Sequence, residues 1–288
     1  MAPGPRVNTM TVRPAERLAL LGRKLLLVPE AALITLLLGA YLLLGGATPA
    51  AFLAALLITT FSIRTLALYL ARSAMETARH TEAAALINVA LALHPWSADA
   101  RALRGALALA LGEPEQAERA LRAALTLLPD QPTYLGALGC ALLEQGRASE
   151  AVEVARRALE LDQSSGLSHL YVAEAEHAAG HSPHQIEDRL RSGLAVATSP
   201  EILVALQSTL AGHLLAEQRL AEATLALHSA EAMLARCPAA RQAELRFHLA
   251  ELLVACGQTE RARDYFHDVE SLAPNSRYAA AAWRGARS

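Results

Sequence analysis

The sequence has few aromatic residues, 4% of its 288 positions, and only three cysteines. Cys140, Cys237 and Cys256 are odd in number, far apart and form no CxxC, which argues against a disulfide framework or a zinc site and fits a reducing compartment. Neither sign of charge predominates. Its 26 basic and 28 acidic residues leave a formal charge of -2, so no global field gathers nucleic acid or an acidic substrate. The phosphate-cradling GxxxxGK[ST], the dinucleotide turn GxGxxG, the zinc helix HExxH and the nucleophile elbow GxSxG are all missing. Carboxylate pairs such as Glu113 with Glu115 or Glu174 with Glu176 read as surface charge and capping. These absences point to a protein that is not an enzyme, uses no cofactor and binds no nucleic acid.

Alanine and leucine dominate the 53% of residues that are hydrophobic, a composition for close-packed helices with almost no strand. Residues 1–12, with two prolines, a glycine and no apolar period, read as a flexible tail. From Arg13 the pattern changes: Leu18, Leu21, Leu25 and Val28 share a helix face while Arg13, Arg17, Arg23 and Lys24 surround it with positive charge. Residues 13–28 suit an amphipathic helix on an anionic membrane surface, or else a basic flank that orients the next helix, and either reading puts this end beside a membrane.

Residues 29–70 read as a transmembrane hairpin. Pro29 and Glu30 suit a helix start, Ala31 to Leu44 carries no charge, and Gly45 and Gly46 close the segment. At ~1.5 Å per residue the arm is about 27 Å long, just adequate for a hydrocarbon core of ~30 Å. Thr48 and Pro49 then start a second arm, apolar to Ile63, with Arg64 as its first charge. Arg64 is expected at the water side, its side chain snorkelling to the interface. Arg72 and Arg79 lie beyond it and the Gly45–Thr48 turn is uncharged, so both ends of a two-span hairpin are expected in the cytoplasm. A cleaved signal peptide leaves the second apolar segment unexplained, and a soluble buried hairpin ordinarily keeps a charged face.

Beyond the hairpin the chain repeats itself. Leu-Ala-Leu-His-Pro ends at Pro95, Leu-Thr-Leu-Leu-Pro at Pro129 and Leu-Glu-Leu-Asp-Gln at Gln163, each 34 residues after the last. Within this period Gly105, Gly112, Ala117 and Ala124 recur as Gly139, Gly146, Ala151 and Ala158, and near the end Gly257, Ala262, Phe266, Val269 and Pro274 stand at the offsets of Gly112, Ala117, Leu121, Ala124 and Pro129. Gly180 continues the series from Gly146, after which His-Ser-Pro-His shifts Ile186, Leu190 and Gly193 by one residue. A fifth pair, with Ala223, Leu227 and Ala230, has no glycine between its helices. This pattern resembles the tetratricopeptide repeat family, in a layout similar to bacterial members that assist envelope or membrane-complex assembly. The resemblance implies an all-α fold: about six helix pairs forming an α-solenoid over residues 64–288, the membrane helix running into the first pair, and a capping helix from Ser276 to Trp283.

It also implies a groove lined by the first helix of each pair, receiving a peptide or a partner helix. Mapped residue by residue, the lining comprises Asp99, Ala102, Ala106, Thr133, Gly136, Cys140, Leu167, Leu170, Glu174, Glu244, Phe247 and Glu251. Small and apolar positions with a few acids favour close approach and basic partners; the lysine, arginine and asparagine set with which some relatives clamp a carboxylate is missing. Cys140 has no neighbouring cation to lower its pKa and reads as packing. His177, His181 and His184 lie around an inter-helix turn without a fixed carboxylate or cysteine, so no metal site is assigned. The expected protein is a membrane-anchored, non-catalytic scaffold or adaptor holding partner proteins at the cytoplasmic face. The alternative is a permanent structural subunit of a larger membrane complex, packed through its hairpin.

Overall fold

The computed structural model describes residues 48–272 and 277–285, and every element among them is an α-helix. The tail 1–12, the basic segment 13–28 with Arg13, Arg17, Arg23 and Lys24, the first hairpin arm, Pro274 and Ser276 lie outside the described residues. Backbone contacts divide the chain into two units, residues 1–66 and 67–288.

In the first unit the described residues begin α1, Thr48–Glu76. Its stretch Leu53–Glu76 is long and apolar enough to cross a membrane, by length and composition, and it is the one such helix among the described residues. Leu53, Leu56, Ile58, Ile63 and Leu66 are exposed. Arg64 is instead buried, its guanidinium carbon 5.2 Å from the centre of the Phe61 ring. The exposed apolar side chains do not stop at Arg64 but continue through Tyr69 and Leu70.

The second unit is a run of antiparallel helix pairs. The end of α1 packs through Ala71 and Ala74 on Ala83 and Ile87 of α2 (His80–Leu93); α3 (Ala98–Ala110) then pairs with α4 (Pro114–Leu125), and α5 (Pro132–Glu144) with α6 (Ala148–Leu161). The series continues with α7 (Gly166–Ala178) and α8 (Pro183–Val196), α9 (Pro200–Ala216) and α10 (Leu220–Leu234), α11 (Ala239–Ala255) and α12 (Thr259–Leu272), and ends at α13 (Arg277–Gly285). Small residues let the helices approach. Ala83, Ala117, Ala151, Ala223 and Ala262, one on the second helix of each of five pairs, are all at most 1% exposed. One turn further on stand Ile87, Leu121, Ala155, Leu227 and Phe266, and on α8 Leu190 follows Ile186 in the same way, all buried. Full burial of such a leucine or isoleucine contributes about 1.5–3 kcal/mol, so the apolar period itself accounts for the stacking.

The turn inside each pair explains the recurring glycine. Gly112, Gly146, Gly180 and Gly257 all have φ between +72° and +75°, the left-handed region open to a residue without Cβ. The residue after each closes the first helix by donating its backbone N–H back across the turn: Glu113 to the Ala108 carbonyl at 2.9 Å, Arg147 to Leu142 at 2.9 Å, His181 to Glu176 at 2.9 Å and Gln258 to Leu253 at 2.8 Å. Where glycine is missing the same turn forms on Ala78 (φ 56°) and Gln218 (φ 60°), at a steric cost. The one-residue slip after Gly180 is absorbed in the turn, leaving α8 a regular helix with Ile186, Leu190 and Gly193 buried.

Successive second helices are clasped by ions. Glu118 on α4 accepts from Arg122 (2.8 Å), from Gln145 (3.0 Å) and from Arg147 at the start of α6 (2.7 Å). Glu187 on α8 accepts in the same way from Arg191 (2.6 Å) and from Arg219 at the start of α10 (2.7 Å), and Glu231 on α10 accepts from Arg261 on α12 (2.6 Å). Arginine neighbours hold the carboxyls of Glu118 and Glu187 down at about 2.

Candidate partner-binding groove

The first helices of four consecutive pairs, α5, α7, α9 and α11, border a cleft of about 950 Å3. Its apolar wall comes from Leu167, Leu170, Ile202, Ala205, Leu245 and Leu252, and its polar groups are Glu174, His177, Glu201, Ser208, Thr209, His213, Arg241, Glu244, His248 and Glu251. Cys140 and Tyr171 complete the wall, and Gly212 keeps one side low. Such a cleft is large enough for several side chains of a bound segment.

Most of its charges are already matched. Arg241 bridges Glu244 at 2.8 Å, and the Tyr278 hydroxyl donates to the same carboxylate at 2.9 Å. His248 Nδ1 lies 3.4 Å from Glu251, and the Ser199 hydroxyl donates to Glu201 at 3.2 Å. Glu174 differs. It is half-buried beside Leu170, Tyr171 and Cys140, and among the described residues no donor reaches its carboxylate. Burial pushes its pKa up to about 7. Burial, reinforced by Glu174 and Glu144, also pushes the Cys140 thiol up to about 12, and Tyr171 is raised mainly by burial. The cysteine is therefore a neutral thiol rather than a nucleophile. His213 is buried, with Nε2 3.0 Å from the Pro183 carbonyl, an arrangement that puts the proton on Nε2. Its Nδ1 is a buried acceptor without a donor among the described residues. The cleft thus offers acceptors in excess of donors.

Of the twelve residues expected to line a groove, Cys140, Leu167, Leu170, Glu174, Glu244 and Glu251 border this cleft. The other six lie elsewhere. Ala102 is buried in the core and Ala106 is half-buried. Asp99 accepts a hydrogen bond from the Tyr134 hydroxyl and ties α3 to α5, while Thr133 is exposed beside it. Gly136 is covered by Tyr171, whose ring atoms would stand 2.1 Å from a Cβ placed there, so this glycine admits the ring that forms the cleft wall. Phe247 packs against Phe266 and Tyr278, with ring centres 5.9 and 5.5 Å apart. It belongs to the C-terminal core and not to the cleft.

Sequence reasoning passed over α9, which supplies Ile202, Ala205, Ser208, Thr209, Gly212 and His213. A signal was there: no Asp, Glu, Lys or Arg occurs between Glu201 and Glu217, so this helix needs cover on more than one side. The three histidines near Pro183 do not converge. His177 faces the His213 ring at 6.2 Å, and His184 is exposed beside Asp188 at 3.3 Å. No group of three metal-ligating side chains occurs among the described residues.

A tetratricopeptide repeat model matches residues 68–132, 102–166 and 136–181. Over residues 68–181 the chain matches the tetratricopeptide repeat family. Solved structures agree with this repeat protein in fold. A tetratricopeptide repeat protein from Parabacteroides merdae is 19% identical with a TM-score of 0.59, covering 78% of this chain and 84% of that one. PilW, described as a widely conserved type IV pilus biogenesis factor, is 20% identical with a TM-score of 0.54 over 76% of this chain and 97% of its own. Pseudomonas aeruginosa pilF is 19% identical with a TM-score of 0.51 over 76% and 96%. At these identities the likeness is one of fold. Among curated protein sequences none matches significantly. A repeat fold of this kind suggests a protein-interaction scaffold.

Proposed function

We propose that this repeat protein is a membrane-anchored, non-catalytic adaptor that holds a basic, partly apolar segment of a partner protein in the α5–α7–α9–α11 cleft and so positions it at the cytoplasmic face of a membrane. The observation that carries the reading is Glu174, an acceptor that no donor among the described residues reaches, beside the apolar wall of the cleft. A lysine or arginine of a partner supplies that donor, and the flanking apolar wall rewards burial of its neighbours. The twelve residues assigned to a groove divide accordingly, with the six that border the cleft in contact with the partner. Anchoring rests on the apolar stretch Leu53–Glu76 and on the basic residues Arg13, Arg17, Arg23 and Lys24, with Arg64 near the membrane boundary. Two spans with both termini and the array in the cytoplasm follow from the arginines beyond Arg64 and the uncharged turn before Thr48. Assisting the assembly of a membrane-associated complex is the task that fits a scaffold so placed.

A second reading is supported by the exposed Leu53, Leu56, Ile58 and Ile63 of α1, which would pack against other spans if the chain were a permanent subunit of a membrane complex. Purification of tagged full-length protein from native membranes in mild detergent separates the two, beside a Ser208→Arg variant that blocks the cleft. An adaptor loses its partner in Ser208→Arg. A subunit keeps stoichiometric membrane proteins in both preparations.

A further inference from the structure

Away from the cleft, α3 carries arginine in two places that the repeat otherwise gives to its core. Arg101 and Arg104 stand 34 residues before Leu135 and Leu138, and 34 residues beyond those stand His169 and Val172, all four buried. Leu138 packs in one cluster with Ala108, Ala117 and Leu121 of the pair before it. A guanidinium cannot take that place without a counter-charge, and Arg104 is exposed. The seam between α2 and α4 is left with a recess of about 500 Å3, bordered by Arg101, Arg104 and Arg119 with Leu91, Pro95 and Gln116.

The recess is cationic throughout. Arg101 donates through Nε (3.1 Å) and Nη2 (2.9 Å) to the Pro95 carbonyl, which fixes its guanidinium at the edge. No acidic residue borders the recess, and none of its three arginines has a carboxylate at ion-pair distance among the described residues, in contrast with Arg122, Arg147, Arg219 and Arg261. Glu118, next to Arg119 in sequence, is already taken by Arg122 and Arg147. Arginine keeps its charge at any physiological pH, so the three cations repel one another until an anion enters.

We propose that this recess binds a small soluble polyanion, a molecule carrying two or more carboxylate or phosphate groups. A guanidinium fork accommodates either group. Arg104 on α3 and Arg119 on α4 each take one, and the volume falls in the range of small-molecule sites, roughly 300–1,000 Å3. The free cations do not continue along the array: Arg122 and Arg147 are engaged by Glu118, and Leu138 packs the place that Arg104 leaves open. A long acidic chain would find no further cation there, whereas a compact molecule finds all three. Bound in the recess, it ties α3 to α4. The site shares no residue with the cleft and does not depend on what the cleft holds.

The test is calorimetric titration of the full chain in mild detergent with citrate, inorganic pyrophosphate and inorganic phosphate, sodium chloride holding the ionic strength constant. Citrate or pyrophosphate is expected to bind one to one and to raise the thermal unfolding midpoint, the tighter of the two showing whether the recess prefers carboxylate or phosphate. Arg104→Gln and Arg119→Gln should each weaken that binding by about tenfold or more, the loss of a charge-assisted hydrogen bond. Arg157→Gln, at an arginine already paired with Asp130 and Glu160, should leave it unchanged. Arg104→Leu installs the residue of the next repeat, and it should abolish binding without lowering the midpoint of the unliganded chain. The proposal is overturned if neither polyanion binds one to one, or if binding survives both glutamine changes. Phosphate binding as tightly as pyrophosphate also overturns it, since the recess then takes a single anion. So does polyglutamate binding where citrate and pyrophosphate do not, which assigns the recess to an acidic polypeptide. A lowered midpoint in unliganded Arg104→Leu, with binding intact, means that Arg104 serves the fold and likewise sinks the proposal.

Discussion

Replacing Glu118 by glutamine removes the charge at the centre of the first ionic clasp while keeping its shape. The carboxylate is 14% exposed and receives Arg122 at 2.8 Å, Arg147 at 2.7 Å and Gln145 at 3.0 Å, so one substitution leaves two guanidinium groups without their shared anion. Its pKa falls from an ordinary 4.5 to about 2. Undiminished, a depression of that size corresponds to about 3 kcal/mol; screening by the solvent along its open edge brings the expected contribution to about 1–2 kcal/mol. The sign follows from linkage. A carboxyl whose folded pKa is depressed stabilises the fold fully above its unfolded value and loses that contribution as pH drops through the folded one. Thermal unfolding of the full chain in mild detergent, followed by circular dichroism at 222 nm, is the assay. Glu118→Gln should lower the midpoint by a few degrees at pH 7, roughly 2–4 °C per kcal/mol for an array of this size. The difference should shrink steadily between pH 4.5 and pH 2. A deficit equal at pH 7 and pH 2, or none at pH 7, would refute the reasoning.

Further outcomes follow from the same geometry. Gln218→Gly should raise stability by about 0.5–1 kcal/mol, because the left-handed turn at φ 60° costs a residue with Cβ more than glycine's added freedom; urea unfolding measures it. Gly136→Ala should cost about 1–3 kcal/mol by driving the Tyr171 ring from its place, and near-ultraviolet circular dichroism should report the displaced tyrosine. Glu174 titrates in the opposite sense to Glu118: its pKa is raised to about 7, so the fold is favoured below 4.5 and progressively disfavoured as pH rises through 7. Glu174→Gln should flatten that slope in pH-dependent unfolding, and a basic peptide should bind wild type more tightly at pH 8 than at pH 6 by fluorescence anisotropy, with no such dependence in the variant. Iodoacetamide at pH 8 should label Cys140 slowly in the folded chain and quickly in urea, since its thiol lies at about 12.

The helix pairs were legible because three physical demands recur at one spacing: a left-handed turn, a small residue at the crossing and an apolar residue one turn later. Gly112, Ala117 and Leu121 meet them in open view, and Gly257, Ala262 and Phe266 repeat them. The fifth pair hid its turn because Gln218, not a glycine, took the left-handed conformation. With no marker for the end of its first helix, α9 was left out of the lining, although Ser208, Gly212 and His213 border the cleft. Phe247 shows the converse. Its place on the first helix of a pair suits a groove residue, but Phe266 and Tyr278 draw its ring aside, a contact between residues 19 and 31 positions away that periodicity does not encode. Ala102 and Gly136 are covered for a related reason, since small residues on an inner face serve equally for contact with a partner and for the approach of a neighbouring helix. The unpartnered state of Glu174 was out of reach from sequence, because it depends on which arginines turn toward which carboxylates.

The central claim is that the cleft, and not the outer surface, holds the partner. Site-specific photo-crosslinking in native membranes tests it most directly, with the reactive amino acid at Thr209 on the cleft wall or at Thr126, exposed at the end of α4. We expect a discrete protein adduct from Thr209 that disappears in Glu174→Gln, and none from Thr126. Adducts from Thr126 alone, or an adduct from Thr209 that persists unchanged without the carboxylate, would contradict the account.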